Sequence, residues 1–225
     1  VIQEVEEGKY QAQVTGEIEL VSSDPGVARI EQGVVIPVKD GTVTITADAG
    51  GRRATAEVTV SGQQEPFEWS FRNHVESVLS KSGCNSGACH GAKAGQNGFR
   101  LTLFGFDLQA DYSYLTRQAR GRRVLPSDPG RSLMLTKPTG ALPHRGGVRL
   151  EVNGPEYRVL AEWIAAGTPG PSDQDAIVER VEVLPEYSSQ QPGNRQQLVV
   201  LAHFNDGHVE DVTRWAKYTT VNRSV

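Results

Sequence analysis

The hydrophobic pattern changes its period twice along the chain, and this change limits the folds that the chain can adopt. Residues 41–50, GTVTITADAG, alternate between apolar and polar positions, as a half-buried β-strand does. Residues 71–83, FRNHVESVLSKSG, instead repeat their apolar positions every three or four residues, which is typical of an amphipathic helix. After residue 176 the alternation returns. The pattern therefore predicts β-structure at both ends and helices in between.

The composition of the linkers places the boundaries of three predicted domains. The segments GQQEPFE and PGPSD, at residues 62–68 and 169–173, separate the patterned regions. We expect a β-sandwich over residues 1–62, an all-α domain over residues 66–170 and the start of a second β-module over residues 176–225. The predicted helices of the middle domain cover residues 71–83, 111–121, 128–137 and 154–169.

The end of the chain repeats its beginning. Residues 6–27 align with residues 205–225 after one inserted residue near Ala12. This repeat predicts that the first β-module lacks its first strand or so, and that the last one contains only its N-terminal half. An incomplete sandwich leaves a sheet edge open. We therefore expect residues 177–225 to pack against the first module, a neighbouring chain or the middle domain. The two partial modules would be completed by each other or by a neighbouring chain.

Charge and hydropathy exclude two classes of partner. The net charge is −4 overall, and the middle domain carries a surplus of about +4 with no accompanying aromatic pattern, which is too little to predict nucleic-acid binding. No apolar run approaches the roughly 20 residues that a membrane-spanning helix needs. The chain opens VIQEVEEGKY, without the pattern of a secretory leader.

The two cysteines of the chain lie in SGCNSGACHG, with a histidine directly after the second. A disulfide between Cys84 and Cys89 would leave His90 unexplained. A structural zinc site would need four ligands, and the chain has no third cysteine. Covalent haem normally uses C-x-x-C-H, and here the spacing is C-x-x-x-x-C-H. Small residues between the cysteines could loop out to accommodate the longer spacing, so the haem interpretation is favoured while the other two stay open.

Longer stretches of the sequence resemble known families. Residues 21–60, VSSDPGVARIEQGVVIPVKDGTVTITADAGGRRATAEVTV, resemble bacterial immunoglobulin-like group 2 domains. The middle domain resembles class I cytochromes c, with WIAAG at residues 163–167 in its closing helix and Leu142-Pro143 where relatives have Met-Pro. Together with SGCNSGACHGAKAGQNGFRLTLFGFD at residues 82–107, these features resemble large exported multidomain proteins of planctomycetes and related bacteria.

The resemblance implies one covalently bound haem c. Cys84 and Cys89 would form the thioethers, and His90 would be the proximal iron ligand. His144, in the loop where cytochrome relatives present their distal ligand, is the expected sixth ligand, and Met134 is its rival. Since an arginine fork matches a carboxylate, the residues that we expect to pair with the haem propionates are Arg100, Arg122 and Arg123.

These predictions together favour an electron-transfer module rather than an enzyme, held between immunoglobulin-like spacers in the periplasm or at the cell surface. The sequence does not identify its redox partner protein. A labile sixth ligand would instead permit a haem peroxidase or gas sensor. Without haem, the motif would serve a disulfide-stapled adhesion or carbohydrate-binding module.

Overall fold

A computed structural model of the chain describes residues 2–5, 9–14, 17–188, 193 and 195–221. The chain divides into two compact units. Unit 1 comprises Val1–Phe67 and Leu184–Leu198, and unit 2 comprises Glu68–Val183 and Val199–Val225. Both cysteines and all five histidines therefore belong to unit 2.

The described part of unit 1 contains small antiparallel sheets. One pairs β1 with β2, a second pairs β4 with β5, and a third has the order β3-β6-β7. The strands are β1 (Ile2–Val5), β2 (Lys9–Gln13), β3 (Glu19–Ser22), β4 (Ala28–Glu31), β5 (Val34–Pro37), β6 (Gly41–Ala49) and β7 (Arg52–Val60). Two hairpins close through two-residue turns, Gln32-Gly33 and Gly50-Gly51, in which every φ is positive. Such turns match the twist of the paired strands.

The apolar face of β6 forms the centre of the unit 1 core. Val43 and Ile45 are buried, whereas Thr42 and Thr44, which alternate with them, are exposed, as the sequence predicts. Ala28 of β4 packs in the same cluster, so the β4-β5 sheet and the β3-β6-β7 sheet share one core.

The register of the first hairpin accounts for the inserted residue in the sequence repeat. Gln3 pairs with Ala12 and Glu4 pairs with Tyr10, so Gln11 is an extra residue in the form of a β-bulge. The corresponding hairpin near the end of the chain shows no such shift. The remainder of the repeat falls partly on residues 6–8, 15–16 and 222–225, which lie outside the described residues.

The described residues of unit 2 form four short α-helices joined by long loops. They are α1 (Glu76–Lys81), α2 (Leu108–Thr116), α3 (Leu133–Thr136) and α4 (Pro155–Ala165). A π-helical turn over Phe71–Val75 leads into α1. The 3-10 turns lie at Leu103–Gly105, Gln118–Gly121 and Pro129–Arg131.

The predicted fold class is wrong. Small antiparallel sheets predominate in the described chain, and unit 2 is not an all-α domain of the class I cytochrome c type. Each predicted helix has a helical segment at its place, but backbone breaks shorten it. Ala119 and Arg120 adopt positive φ beyond α2, and Ser132 has an extended ψ of 136° just before α3. The predicted immunoglobulin-like sandwiches are likewise replaced by separate sheets of two and three strands.

The last strands of the chain form a sheet that packs within unit 2. Its order is β10-β9-β8, from β8 (Val178–Leu184), β9 (Val199–Phe204) and β10 (Val209–Asp211). Trp215, just after β10, meets Trp69 edge to face with ring centroids 6.3 Å apart. The Asn73 side chain donates a hydrogen bond of 3.0 Å to the carbonyl of Ala176. These contacts fix the terminal strands to the helical segment.

The hydrophobic core of unit 2 consists mainly of side chains from its helical segments. Its largest fully buried members are Trp163, Phe71, Leu115, Leu135, Leu160 and Ile164. Phe71 contacts both Tyr112 and Trp163 through its ring, with centroids 5.5 and 5.6 Å away. Among the described residues, no helix has both the length and the apolar character needed to cross a membrane.

A buried and an exposed phenylalanine of unit 2 together test the position of this core. Phe71 is 1% exposed and Phe106 is 91% exposed. Phe71→Ala should lower the free energy of unfolding by about 3–5 kcal/mol, because it leaves a cavity beside Trp163. Phe106→Ala should change it by no more than about 0.5 kcal/mol. Denaturant unfolding followed by tryptophan fluorescence measures both, and equal effects would show that the core is placed wrongly.

Candidate functional site

A cavity of about 810 Å³ opens in unit 2 beside the cysteine motif. Its walls come from the end of α1, the loops on both sides of α3, and the loop that precedes α4. The residues that line it are Leu79, Cys84, Ala88, Cys89, His90, Gln96, Asn97, Phe99, Leu115, Arg122, Arg123, Leu133, Met134, Lys137, Pro138, Pro143, His144, Arg145, Gly146 and Arg149. Every candidate site residue except Arg100 is among them.

The cysteine loop, residues 84–90, is a tight backbone turn at the end of α1. The amide of Cys84 donates to the Leu79 carbonyl at 2.8 Å, and this bond closes the end of α1, where Gly83 has a φ of +75°. The amide of His90 donates to the Cys84 carbonyl at 2.9 Å, and the amide of Cys89 donates to the Ser86 carbonyl at 3.0 Å. The loop therefore holds both thiols and the imidazole at the same cavity wall.

Close packing of the backbone fixes this loop. A Cβ atom on Gly91 would lie 2.0 Å from the carbonyl oxygen of Asn85, so only glycine fits there. Asn85 is fully buried, and its Nδ2 atom donates to Glu76 at 2.8 Å and to Ser80 at 2.7 Å. We expected the residues between the cysteines to loop out, but Asn85 points into the protein and anchors the turn.

Both cysteines are free thiols. Burial is the main cause that raises the pKa of the Cys84 thiol to about 11, and the neighbouring Cys89 adds to this effect. Cys84 is therefore protonated at neutral pH, whereas metal ligation and disulfide exchange use the thiolate. Among the described residues, no group of three or more His, Cys, Asp and Glu side chains is arranged to hold a metal ion.

His90 is held by the strand-like segment that follows the cysteine loop. Its Nδ1 atom lies 3.1 Å from the Phe99 carbonyl oxygen, and its ring centroid lies 4.4 Å from that of Phe99. With an Nδ1–H donated to this carbonyl, Nε2 carries the lone pair and can bind a metal. Burial lowers the pKa of His90, which favours this neutral form.

His144 lies in a loop that several hydrogen bonds brace, the histidine loop of residues 143–149. Its Nδ1 atom lies 2.9 Å from the Gly147 carbonyl oxygen. Lys137 donates through Nζ to the Pro143 carbonyl at 3.0 Å, and Arg149 donates through Nε to the Gly146 carbonyl at 2.8 Å. The His144 ring is thus oriented in the same way as the His90 ring, with Nδ1 paired to a carbonyl.

The two imidazoles are spaced as a pair of ligands on one metal ion would be. Their ring centroids are 6.3 Å apart, and their planes differ by only 12°. Two imidazoles on opposite sides of one metal would have centroids about 6 Å apart, because each metal–nitrogen bond is about 2 Å and each ring centre lies about 1 Å behind its nitrogen. The observed centroid distance of 6.3 Å is close to this value.

Met134 also faces this cavity, from the short helix α3. Its side chain is only 9% exposed and belongs to the apolar core of unit 2, where methionine is a flexible filler. Its amide donates to the Arg123 carbonyl at 3.0 Å. The structure therefore brings both candidate sixth ligands to the cavity that His90 lines, and the His144 ring lies nearly parallel to the His90 ring.

The three candidate arginines have different surroundings. Arg122 is exposed at the cavity. Arg123 is buried, donates to three backbone carbonyls at 2.7–3.2 Å, and lies 4.5 Å above the Phe99 ring, so its fork is already occupied. Arg100 lies outside the cavity lining, where it stacks on the Tyr114 ring at 4.5 Å.

Sequence reasoning missed three further cations at the cavity. Lys137, Arg145 and Arg149 line it together with Arg122 and Arg123, and no Asp or Glu is among the lining residues. The signal was visible in PHRGGVR, the sequence of the histidine loop, which contains two arginines. The cavity is therefore suited to an apolar molecule that carries carboxylates.

The chain matches no protein-family model, no curated protein and no solved structure. The function of this cavity must therefore be inferred from the residues that line it and from their geometry.

The close packing of Gly91 against the Asn85 carbonyl can be tested, with Gly87 of the same loop as the control. Gly91→Ala should lower the free energy of unfolding by more than about 1 kcal/mol, because the added Cβ collides with the Asn85 carbonyl. Gly87→Ala, in the same loop, should stay within about 1 kcal/mol of wild type, since no atom lies within 4 Å of its added Cβ. Urea unfolding compares the two variants. If both unfold at the same urea concentration, the cysteine loop is not closed as described.

Proposed function

We propose that unit 2 binds one haem c covalently and transfers electrons. The observation that carries this proposal is the pairing of His90 with His144, 6.3 Å apart and nearly parallel, beside two free thiols at the wall of one cavity. Cys84 and Cys89 would form thioethers with the haem vinyl groups, and the two histidines would be its axial ligands. The haem and its electron-transfer role depend on these residues and not on the cytochrome c fold.

The chemistry of the cavity fits this group. Its volume of about 810 Å³ lies in the range of roughly 300–1,000 Å³ typical of cofactor sites. Leu79, Phe99 and Leu115 offer apolar walls to a porphyrin. Arg122 and Arg149 are exposed cations that could pair with the propionates, whereas Arg123 is committed to backbone carbonyls.

The residues of the chain would set the properties of the iron. A bound haem supplies reversible one-electron chemistry, with a reduction potential that depends on axial ligands, burial and nearby charge. Pairing of each Nδ1–H with a carbonyl raises the basicity of both imidazoles and fixes their orientation. Two protein ligands leave no open position for a substrate, so the arrangement favours electron transfer over catalysis at the iron.

The cellular location and the redox partner belong to the same proposal. The family resemblance implies a periplasmic or cell-surface location and a redox partner protein. A peroxidase or gas sensor would need His144 to dissociate readily, but three hydrogen bonds brace the histidine loop.

Covalent attachment should require both cysteines. We expect the full chain, co-expressed with a haem-attachment system, to gain the mass of one haem and to give a two-thioether pyridine haemochrome spectrum. Cys84→Ala should shift that spectrum to the single-thioether form, and the double variant with Cys89→Ala should lose covalent haem. Haem that stays with the double variant through denaturing electrophoresis would refute the thioether assignment.

The sixth ligand should be His144. His144→Ala should convert a low-spin spectrum to a high-spin one, and added imidazole should restore the low-spin form. Met134→Leu, which conserves volume, should leave the spectrum unchanged. The absorption and electron paramagnetic resonance spectra of the ferric proteins test this. The red absorption band of sulfur-ligated haem iron in the wild type, and its loss in Met134→Leu, would identify Met134 as the ligand instead.

A further inference from the structure

Two buried oxygen atoms next to the cysteine loop lack hydrogen-bond partners among the described residues. They are Oε2 of Glu76 and Oδ1 of Asn85. Glu76, on α1, is 5% exposed, and Asn85 is fully buried. The other halves of the same two groups are joined, because Asn85 Nδ2 donates to Glu76 Oε1 at 2.8 Å. A carboxylate and an amide thus lie side by side with one hydrogen bond made and two acceptors left over.

An ionised Glu76 would be expensive at this position. Burial is the main cause that raises its pKa to about 7, and the charge of Asp111 raises it further, against the effect of the Asn85 hydrogen bond. Asp111, on α2, is itself fully buried and accepts from the amide and hydroxyl of Thr102 at 2.5 and 2.6 Å. A second negative charge close to this carboxylate would be poorly compensated.

The turn that follows the haem motif covers the Glu76 carboxyl. Gly105 has a φ of +72°, and a Cβ there would lie 2.7 Å from both Cγ and Oε1 of Glu76. Phe104 beside it adopts a positive φ of 52°, which is unfavourable for a bulky residue. The backbone at this turn therefore packs directly on the carboxyl and contributes no charged side chain of its own.

One proton on Glu76 would satisfy both orphaned atoms. An Oε2–H group is a donor, and the neighbouring Asn85 Oδ1 is an acceptor that lacks one. We propose that Glu76 and Asn85 form a buried proton-binding site, a cyclic acid–amide pair, whose protonation is coupled to the oxidation state of a haem at the cysteine loop. The coupling rests on the proposed function, whereas the proton site itself does not.

The covalent path between this pair and the haem site is short. Asn85 follows Cys84 directly, and its backbone carbonyl accepts from the Phe104 amide at 3.2 Å. The titratable groups that face Glu76 are Asp111 from α2 and Cys84 from the loop. With Cys84 consumed as a thioether, Asp111 would be the only other charge acting on the pair from these elements.

The direction of the coupling follows from electrostatics. Reduction of a bound haem by a donor protein would add one negative charge, and Glu76 would compensate it by taking up one proton from solvent. An ionised Glu76 favours the ferric state, and the reduction potential must therefore fall as the pH rises. The limit for one proton per electron is about 59 mV for each tenfold change in proton concentration.

Glu76→Gln tests the coupling, because glutamine can make both hydrogen bonds to Asn85 but cannot ionise. We expect the midpoint potential of the haem-loaded wild type to fall from about pH 5 to about pH 9, which brackets the pKa of about 7. In Glu76→Gln this fall should be absent. Glu151→Gln removes an exposed carboxylate of the same unit and should keep the wild-type slope. Equal slopes in all three proteins would overturn the coupling.

A second measurement tests the proton site with or without haem. Infrared spectra of the wild type should show a buried carboxylic-acid C=O band that disappears as the pH rises through about 7 and is missing in Glu76→Gln. If no such band exists, a water molecule rather than a proton satisfies the two oxygens, and the proposal is wrong. If the band is present but no haem attaches, the proposed function fails and the proton site stands.

The pH dependence of folding also tests the proton site. Because the folded pKa of about 7 lies above the ordinary 4.5, the folded chain binds the proton more tightly than the unfolded chain. The stabilisation that Glu76 contributes is therefore fully present below pH 4.5. It is lost as the pH rises to about 7, and the folding equilibrium constant then falls by on the order of a hundredfold. Glu76→Gln should lack this loss and Glu151→Gln should retain it, and the reverse result would contradict a raised pKa.

Discussion

The hydrogen bonds of Asn85 hold the proposed site together. This amide is fully buried, and it ties α1 to the cysteine loop through Glu76 and Ser80. The Asn85 carbonyl in turn forms the surface against which Gly91 packs. If Asn85 were displaced, the return of the chain from Cys84 to His90 would lose its support, because a buried amide without partners is costly. The longer spacing between the cysteines thus has a structural use, since one of the added residues anchors the loop.

The short helices of unit 2 are a consequence of the cavity that they surround. Long helices packed side by side would fill this space with their own side chains. Instead, α3 spans only four residues, and the loops before and after it contribute Arg122, Lys137 and His144 to the walls. Loops can aim a side chain at a ligand from many directions, provided that hydrogen bonds fix them. The histidine loop meets this condition through its three bonds to backbone carbonyls.

Local sequence signals identified the elements of the fold better than its class. The period of the apolar residues gave the place of each helix and the faces of β6, because these depend on neighbours in the chain. The all-α assignment failed because the apolar period locates helical turns but does not show how short the helices are. The positive φ of Ala119 and Arg120 falls on two residue types that favour helices, so the sequence does not predict that the helix ends before them. The sequence predicted that His90 and His144 act as a pair. It could not predict that their rings lie 6.3 Å apart, because this distance depends on how two loops pack.

Two kinds of charged group would act on the proposed site, the cations that line the cavity and the buried Glu76 carboxyl, which accepts a hydrogen bond from Asn85 of the cysteine loop. Exposed cations such as Arg122 and Arg149 are screened by solvent and salt, so they favour the binding of carboxylates but influence a buried charge only weakly. Glu76 lies in a poorly polarisable interior, where a single proton changes the local field more than an exposed arginine does. The same segment that would attach a haem would thus place its binding under the control of surface charge and its reduction under the control of one buried proton.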